Sequence, residues 1–231
     1  DLIAYYFPEC EGINMDATVT SILHKSQEEL EMLAGKKVKH LYLGIESGLD
    51  DVLKFMKKDH DLAQAYQAID RLHEAGLIYD AHIMTGVAGK GRGMENAEAL
   101  AQFLNRTNPA HVVNFSMFLH KEVPLYEDIR QGTFVPADEL ETIREEYHLI
   151  ERIAPEKAGA NILYDGFHDF IHVRVRGHLP GDKEKMLAKL SGIIQEYEGK
   201  EPVYSFVQGE CPDLEYCDDG KAVWDMDRKT S

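Results

Sequence analysis

Cysteine is scarce in this chain of 231 residues. There are three, at positions 10, 211 and 217, and an odd number in a chain this long argues against a disulfide framework and for a reducing compartment. Positive charge is also short: 25 Lys and Arg stand against 41 Asp and Glu, a formal charge of -16. That balance repels phosphate backbones and anionic lipid surfaces, so unassisted nucleic-acid or membrane binding is disfavoured. No apolar run approaches the roughly 20 residues needed to span a bilayer, and no basic segment followed by an apolar one opens the chain. A cytoplasmic protein is expected. Low-complexity tracts and a GxSxG elbow are missing too, which argues against a Ser/His/Asp hydrolase. Asp1 heads the sequence in place of methionine, as expected of a processed or excised chain.

What is present suits a folded core, with 44% apolar residues. Strand-like apolar runs occupy 13–19, 39–45, 78–84 and 111–118. Helices fit between them. Ser26 with Glu29 and Asp61 with Gln64 form capping boxes, and Gly76 stands where a left-handed residue closes the second helix. Ala97, Leu100, Ala101 and Leu104 recur at helical spacing until Asn108-Pro109 ends the pattern. Strand, helix, strand is the mark of right-handed crossovers feeding a parallel sheet covered on both faces, hence the nearly continuous runs LYLGI and VVNFSMF. The pattern fits an open sheet or a barrel equally. In both, ligands lie at the carboxyl ends of the strands: Glu46-Ser47-Gly48, then TGVAG at 85–89, then Leu119-His120.

Beyond residue 132 the pattern changes. A helix over 136–153 carries Leu140, Ile143, Tyr147 and Ile150 on one face and acidic residues on the other. Ile171, Val173 and Val175 alternate with His172, Arg174 and Arg176, a half-exposed antiparallel or edge strand, and a last helix spans 182–197. Three segments follow: strand-helix units over 1–132, a small α+β extension over 133–197, and an acidic, loosely ordered tail over 198–231.

Glu46 is the strongest candidate for ligand contact, since a carboxylate at a strand's carboxyl end can accept hydrogen bonds from ribose hydroxyls or an ammonium; the bland alternative is a helix-capping acid. Ser47 suits a turn or cap better than a ligand. Gly86, Gly89 and Gly91 form a glycine-rich turn, a weak signal alone. His82 faces inward if Ile83 packs outward. A metal-dependent barrel hydrolase would use Asp80 and His82, or His168 and His172, but residues four apart on a strand lie roughly 13 Å from one another. No metal ligand set is expected.

The run HLYLGIESGLDDVLKFMKKDHD, followed by AIDRLHEAGLIYDAHIMTGVAGKG, PLYEDIRQGTF and RGHLPGDKEKML, resembles the second half of the radical S-adenosylmethionine barrel proteins, on the branch of oxygen-independent coproporphyrinogen oxidase and the elongator catalytic subunit. The resemblance covers about 13–194. It implies a partial (βα) barrel of six units, of which residues 13, 39, 78 and 111 open strands three to six. It also implies a [4Fe-4S] cluster and S-adenosylmethionine, cleaved to a 5'-deoxyadenosyl radical in oxidoreductase or transferase chemistry. By the same resemblance Glu46, Ser47, His82, Gly86 and Gly89 stand at the cofactor wall. The family's CxxxCxxC is absent, although three thiolates on one loop are needed to hold the cluster. Two readings stay open: the later part of a radical S-adenosylmethionine enzyme, inactive alone and holding neither cofactor tightly, or a cluster-free paralogue that binds a small molecule. The resemblance assigns no catalytic residue, substrate or oligomeric state.

Overall fold

Local capping sets where the helices begin. The structure, a computed structural model, describes residues 2–206. Ser26 accepts from the Glu29 N–H while Glu29 returns to the Ser26 N–H, opening α3 (Gln27–Gly35). Asp61 and Gln64 do the same for α5 (Leu62–Glu74), and Gly76 follows it at φ 74°. Each such cap contributes about 1 kcal/mol. Shorter helices α1 (Leu2–Tyr6), α2 (Val19–Leu23) and α4 (Asp50–Phe55) fill the first half. Next come α6 (Gly93–Thr107), closed by a left-handed Asn108, then α7 (Leu125–Arg130), α8 (Glu139–Arg152) and α9 (Lys183–Tyr197). No helix among the described residues is long and apolar enough to cross a membrane.

The strands are β1 (Ile13–Ala17), β2 (Val38–Glu46), β3 (Ile78–Thr85), β4 (His111–Ser116), β5 (Ile162–His168) and β6 (Val173–Leu179). They form one sheet in sequence order, parallel from β1 to β5, with β6 antiparallel to β5. The result is the α/β partial barrel expected. Alternate residues Leu41, Leu43, Ile45, Tyr79, Ala81 and Ile83 are buried in one cluster with Leu30, Ala65, Ile69 and Leu72 of the helices. Burying each Leu or Ile stabilises the fold by roughly 1.5–3 kcal/mol.

Three features depart from the sequence reading. A fifth parallel strand, β5, continues the sheet past residue 132, so the expected extension supplies two strands of the same sheet. Its ILYDGFH carries Asp165-Gly166, a pair that reads as a turn. Here a Cβ on Gly166 would collide with the Glu146 carboxylate, and the glycine admits α8 instead. Second, three acids of α8 do not face water. Glu139, Glu145 and Glu146 are each at most 1% exposed. Third, residues 203–206 of the expected loose tail dock: the Glu139 N–H donates to Val203 O at 2.8 Å, the Leu119 N–H to Ser205 O at 2.7 Å, and Phe206 bridges Leu119. The rest of that tail, with Cys211 and Cys217, lies outside the described residues.

Candidate functional site

Strand alternation divides the chemistry. Where Leu41, Leu43 and Ile45 point to the helices, His40, Tyr42 and Gly44 point to the opposite face, as do Asp80 and His82 of β3, Phe115 of β4, and Phe167 of β5. There the side chains form a row across four strands. The Tyr42 and His82 rings lie 5.1 Å apart, His82 and Phe115 5.8 Å, and Phe115 and Phe167 5.7 Å. The Arg174 guanidinium covers Phe167 at 4.6 Å and pairs with Asp165 at 2.6 Å. Phe115 remains exposed, so this face is open. Toward the strands' amino-terminal ends, Asp80 bonds His40 Nδ1 at 2.6 Å, and Tyr42 bonds His111 Nδ1 at 3.0 Å. Burial pushes the Asp80 carboxyl up and the His111 imidazole down.

Glu46 ends β2 beyond an irregularity in its pairing with β3, with φ at 61°. A left-handed glutamate is unusual, and such backbone is found mainly where surrounding structure holds it for function. Its carboxylate folds back over Gly44: a Cβ there would stand 2.8 Å from Glu46 Oε1. A side chain at 44 would displace the end of Glu46 from this position. Lys58 Nζ holds Oε1 at 3.1 Å, and Oε2 has no partner among the described residues. Lys58 was missed by sequence reasoning, although it stands in the quoted KKDHD run.

The other four candidates divide. His82 does face the open side, with Ile83 fully buried on the other. Ser47 is wholly buried; its hydroxyl donates to Asn96 Oδ1 at 2.6 Å and accepts from the Leu49 N–H at 3.1 Å. It shapes the loop and offers no side-chain group to a ligand. Gly86 donates its N–H to Glu145 Oε2 at 2.8 Å and accepts from the Gly89 N–H at 3.0 Å. Both glycines have positive φ, and an added Cβ would meet Thr142 Cγ2 at 2.8 Å from Gly86 or Val135 O at 3.0 Å from Gly89. Close packing against the protein accounts for glycine at both positions. A cleft of about 370 Å³ opens between Val52, Phe55, Val87, Gly89, Lys90 and Phe134, but neither Glu46 nor His82 lines it. Glu46 and His82 are thus the two candidates with side chains on the open face.

On the helix side of β4 and β5 lies a buried charge network. His168 Nδ1 meets Glu139 at 3.0 Å and Nε2 meets Glu146 at 3.0 Å. Burial pulls the imidazole pKa down, but the Glu146 charge and the Glu139 hydrogen bond outweigh it and raise it to about 10, so His168 is a cation at neutral pH. Burial pushes Glu139 up, but His168, Ser205 and Ser116 hold it below the usual range. Glu145, with weaker partners, is raised by burial to about 7. His168 is therefore engaged on both nitrogens, and a 3-10 turn at Asp169–Ile171 separates it from His172, so the metal pair considered from sequence is not formed. The reason is the network, not the extended spacing expected there.

The described residues do not fit an iron-sulfur cluster. Cys10 donates its thiol to Gly12 O at 3.2 Å, and among the described residues no group of three His, Cys, Asp or Glu is placed to hold a metal.

Comparison with known proteins agrees with this architecture. Residues 3–104 match the family model described as Radical SAM superfamily. A tRNA uridine(34) acetyltransferase from Methanocaldococcus infernus is 26% identical over 119 residues, 51% of this chain and 22% of that protein. The solved structure of the archaeal Methanocaldococcus infernus Elp3 with an N-terminal deletion (1-46) matches with a TM-score of 0.60 at 18% identity, over 81% of this chain and 42% of that one. The chain thus spans under half the length of either protein. Residues 3–104 are thus similar to the radical SAM superfamily, and the chain shares its fold with the archaeal Elp3 structure.

Proposed function

We propose that this chain supplies the S-adenosyl-binding wall and the substrate side of a radical S-adenosylmethionine enzyme, whose three cluster thiolates come from a segment outside these residues. The observation that carries the reading is Glu46, held over Gly44 on the open face by left-handed backbone and one lysine, with Oε2 left to accept. A carboxylate there can accept two ribose hydroxyls or an ammonium, a charge-assisted contact stronger than a neutral one. His82 stands one strand over, opposite Gly44, within reach of the same ligand. Bound S-adenosylmethionine would supply radical chemistry there only with a cluster held by residues other than these. This chain's residues bind and orient. The open row of Phe115, Phe167 and Arg174 faces a small-molecule substrate; the acidic balance of the chain argues against unassisted contact with tRNA.

Equilibrium dialysis against S-adenosylmethionine tests the binding claim. Saturable binding is expected, weakened about tenfold by Glu46→Ala, the loss of one charged hydrogen-bond acceptor. Equal affinity in the variant removes Glu46 from the site. Reconstitution with iron, sulfide and reductant should give no 5'-deoxyadenosine above a no-protein control. The second reading, a cluster-free binding module, is favoured by the missing cysteine trio. Reading the coding sequence upstream of Asp1 for CxxxCxxC separates the two.

A further inference from the structure

The GIESG loop follows β2 and the TGVAGKG turn follows β3, yet both are tied to one pair of buried side chains. Ser47 Oγ donates to Asn96 Oδ1 at 2.6 Å, and the Gly48 N–H donates to the same oxygen at 3.2 Å. Asn96 Nδ2 then donates to Glu145 Oε1 at 2.7 Å, and the Gly86 N–H donates to Glu145 Oε2 at 2.8 Å. Ser47, Asn96 and Glu145 are at most 1% exposed. Every acceptor in the chain of bonds is used. The amide cannot flip, because its NH₂ would then face the Gly48 N–H and its oxygen the carboxylate.

Close packing leaves little room for water to replace either side chain. A Cβ on Gly48 would overlap Ala99 and Leu100 of α6, and one on Gly93 would stand 2.9 Å from Glu145 Oε2. The contact between α6 and α8 does not itself depend on the pair, since Ala97, Leu100, Ala101, Ile143 and Leu149 are buried in one apolar cluster. What depends on it is where the two loops sit.

We propose that Asn96 and Glu145 are positioning residues that fix the GIESG loop and the TGVAGKG turn relative to each other, so that ligand affinity at the Glu46 and His82 face depends on two side chains that do not touch the ligand. The inference rests on the binding reading given above. Protonation of Glu145 would set an O–H against an N–H and leave Gly86 or Asn96 without an acceptor. The charged groups facing that carboxylate are Glu141 on α8, which favours its protonation, and His168 on β5, which opposes it; Asn96 from α6 and the Gly86 N–H from the turn are its neutral partners. Burial is the larger effect and brings the carboxyl to about 7, so the loops should loosen as pH falls through neutrality.

The test measures S-adenosylhomocysteine affinity from pH 5.5 to 8.5, amide exchange at Gly48 and Gly86, and urea denaturation, for the wild type, Glu145→Gln and Asn96→Ala. Wild-type affinity should fall as pH drops. Glu145→Gln keeps one acceptor and loses the titration, so its affinity should be about fivefold lower at pH 8 and free of the component near pH 7. Asn96→Ala should speed exchange at Gly48 and Gly86 together. Variants that unfold like the wild type and keep its affinity, pH profile and exchange overturn the proposal. Should one variant fail to fold, the other decides through exchange at Gly48 and Gly86, and unchanged exchange there overturns the proposal. Absence of any saturable binding by the wild type sinks the ligand reading instead, and the exchange rates at Gly48 and Gly86 then decide the positioning claim alone.

Discussion

The two halves of the sheet are covered in different ways. Over β1 to β3 the helices bring hydrocarbon: Leu30, Ala65, Ile69 and Leu72 lie in one cluster with Leu41, Leu43, Ala81 and Ile83. Over β4 and β5, α8 brings two carboxylates, Glu139 and Glu146, to Asn114, Ser116, Tyr164 and His168. The first half is held by the removal of apolar surface from water, which is insensitive to pH and to direction. The second adds to such burial, at Val112, Ile143, Leu149, Ile162 and Val175, hydrogen bonds and charge that are directional and dependent on protonation. The polar half also reaches the ligand turn, through Glu145 to Gly86 and through Asn114 to the Thr85 N–H at 3.1 Å. A buried ionic network is weak evidence of net stability, but breaking one partner is costly, and such a network specifies one arrangement where hydrocarbon tolerates several.

The sharpest way to break this contrast is His168→Ala. It leaves Glu139 and Glu146 buried without their cation, and a loss of about 3–5 kcal/mol in urea denaturation at pH 6 is expected. A loss under about 1 kcal/mol would mean the network is not held by charge. Leu72→Ala on the apolar half should cost about 3 kcal/mol. Its cost should be the same at pH 6 and pH 9.

The pH dependence separates the halves further. His168 has its folded pKa raised, to about 10 from 6.5, so its stabilisation is complete below pH 6.5 and is lost as pH rises through 10. The penalty of His168→Ala should shrink across that window. Glu139 is lowered from 4.5, so its contribution is present above pH 4.5 and is lost on further acidification. Glu145 acts the other way: raised to about 7, it binds a proton in the folded state between pH 4.5 and 7, so its part of the stability falls as pH rises through that range and is flat above. Nitrogen-detected titration of the His168 ring checks the first claim directly, since both ring nitrogens should stay protonated at pH 8.

The smallest expected effect is at Lys58. Its pair with Glu46 is about a quarter exposed on each side, 28% and 23%. Lys58→Ala should change stability by less than about 1 kcal/mol. It should alter ligand affinity all the same, because it frees Glu46 Oε1. An unaltered affinity would place the ligand elsewhere on the open face.

The apolar half was legible in the sequence for a simple reason. Its strands and helices obey alternation and helical spacing, and both capping boxes state where helices begin. So the four strands at 13–19, 39–45, 78–84 and 111–118 each have a counterpart in the sheet, as does the half-exposed antiparallel strand. The polar half was not, because periodicity treats an acid as a mark of solvent. Glu139, Glu145 and Glu146 sat on what read as the wet side of a helix, and their partners Asn114, Asn96 and His168 come from three other elements. Tertiary pairing of that kind leaves no short motif. Within the candidate site, His82 could be aimed from the apolar character of Ile83, whereas the closure of Ser47 and Gly86 onto buried partners required the fold.

The central claim is that Glu46 and His82 face a bound S-adenosyl group while the loops beside them are fixed from behind. Titrating S-adenosylhomocysteine into the isotope-labelled chain and following its amide and imidazole resonances tests this most directly. Saturable shifts at Glu46, Ser47, Gly48 and His82, with smaller ones through 85–89, are the expected result. Saturable shifts confined to the cleft at Val52, Phe55 and Phe134, leaving β2 and β3 undisturbed, would contradict it.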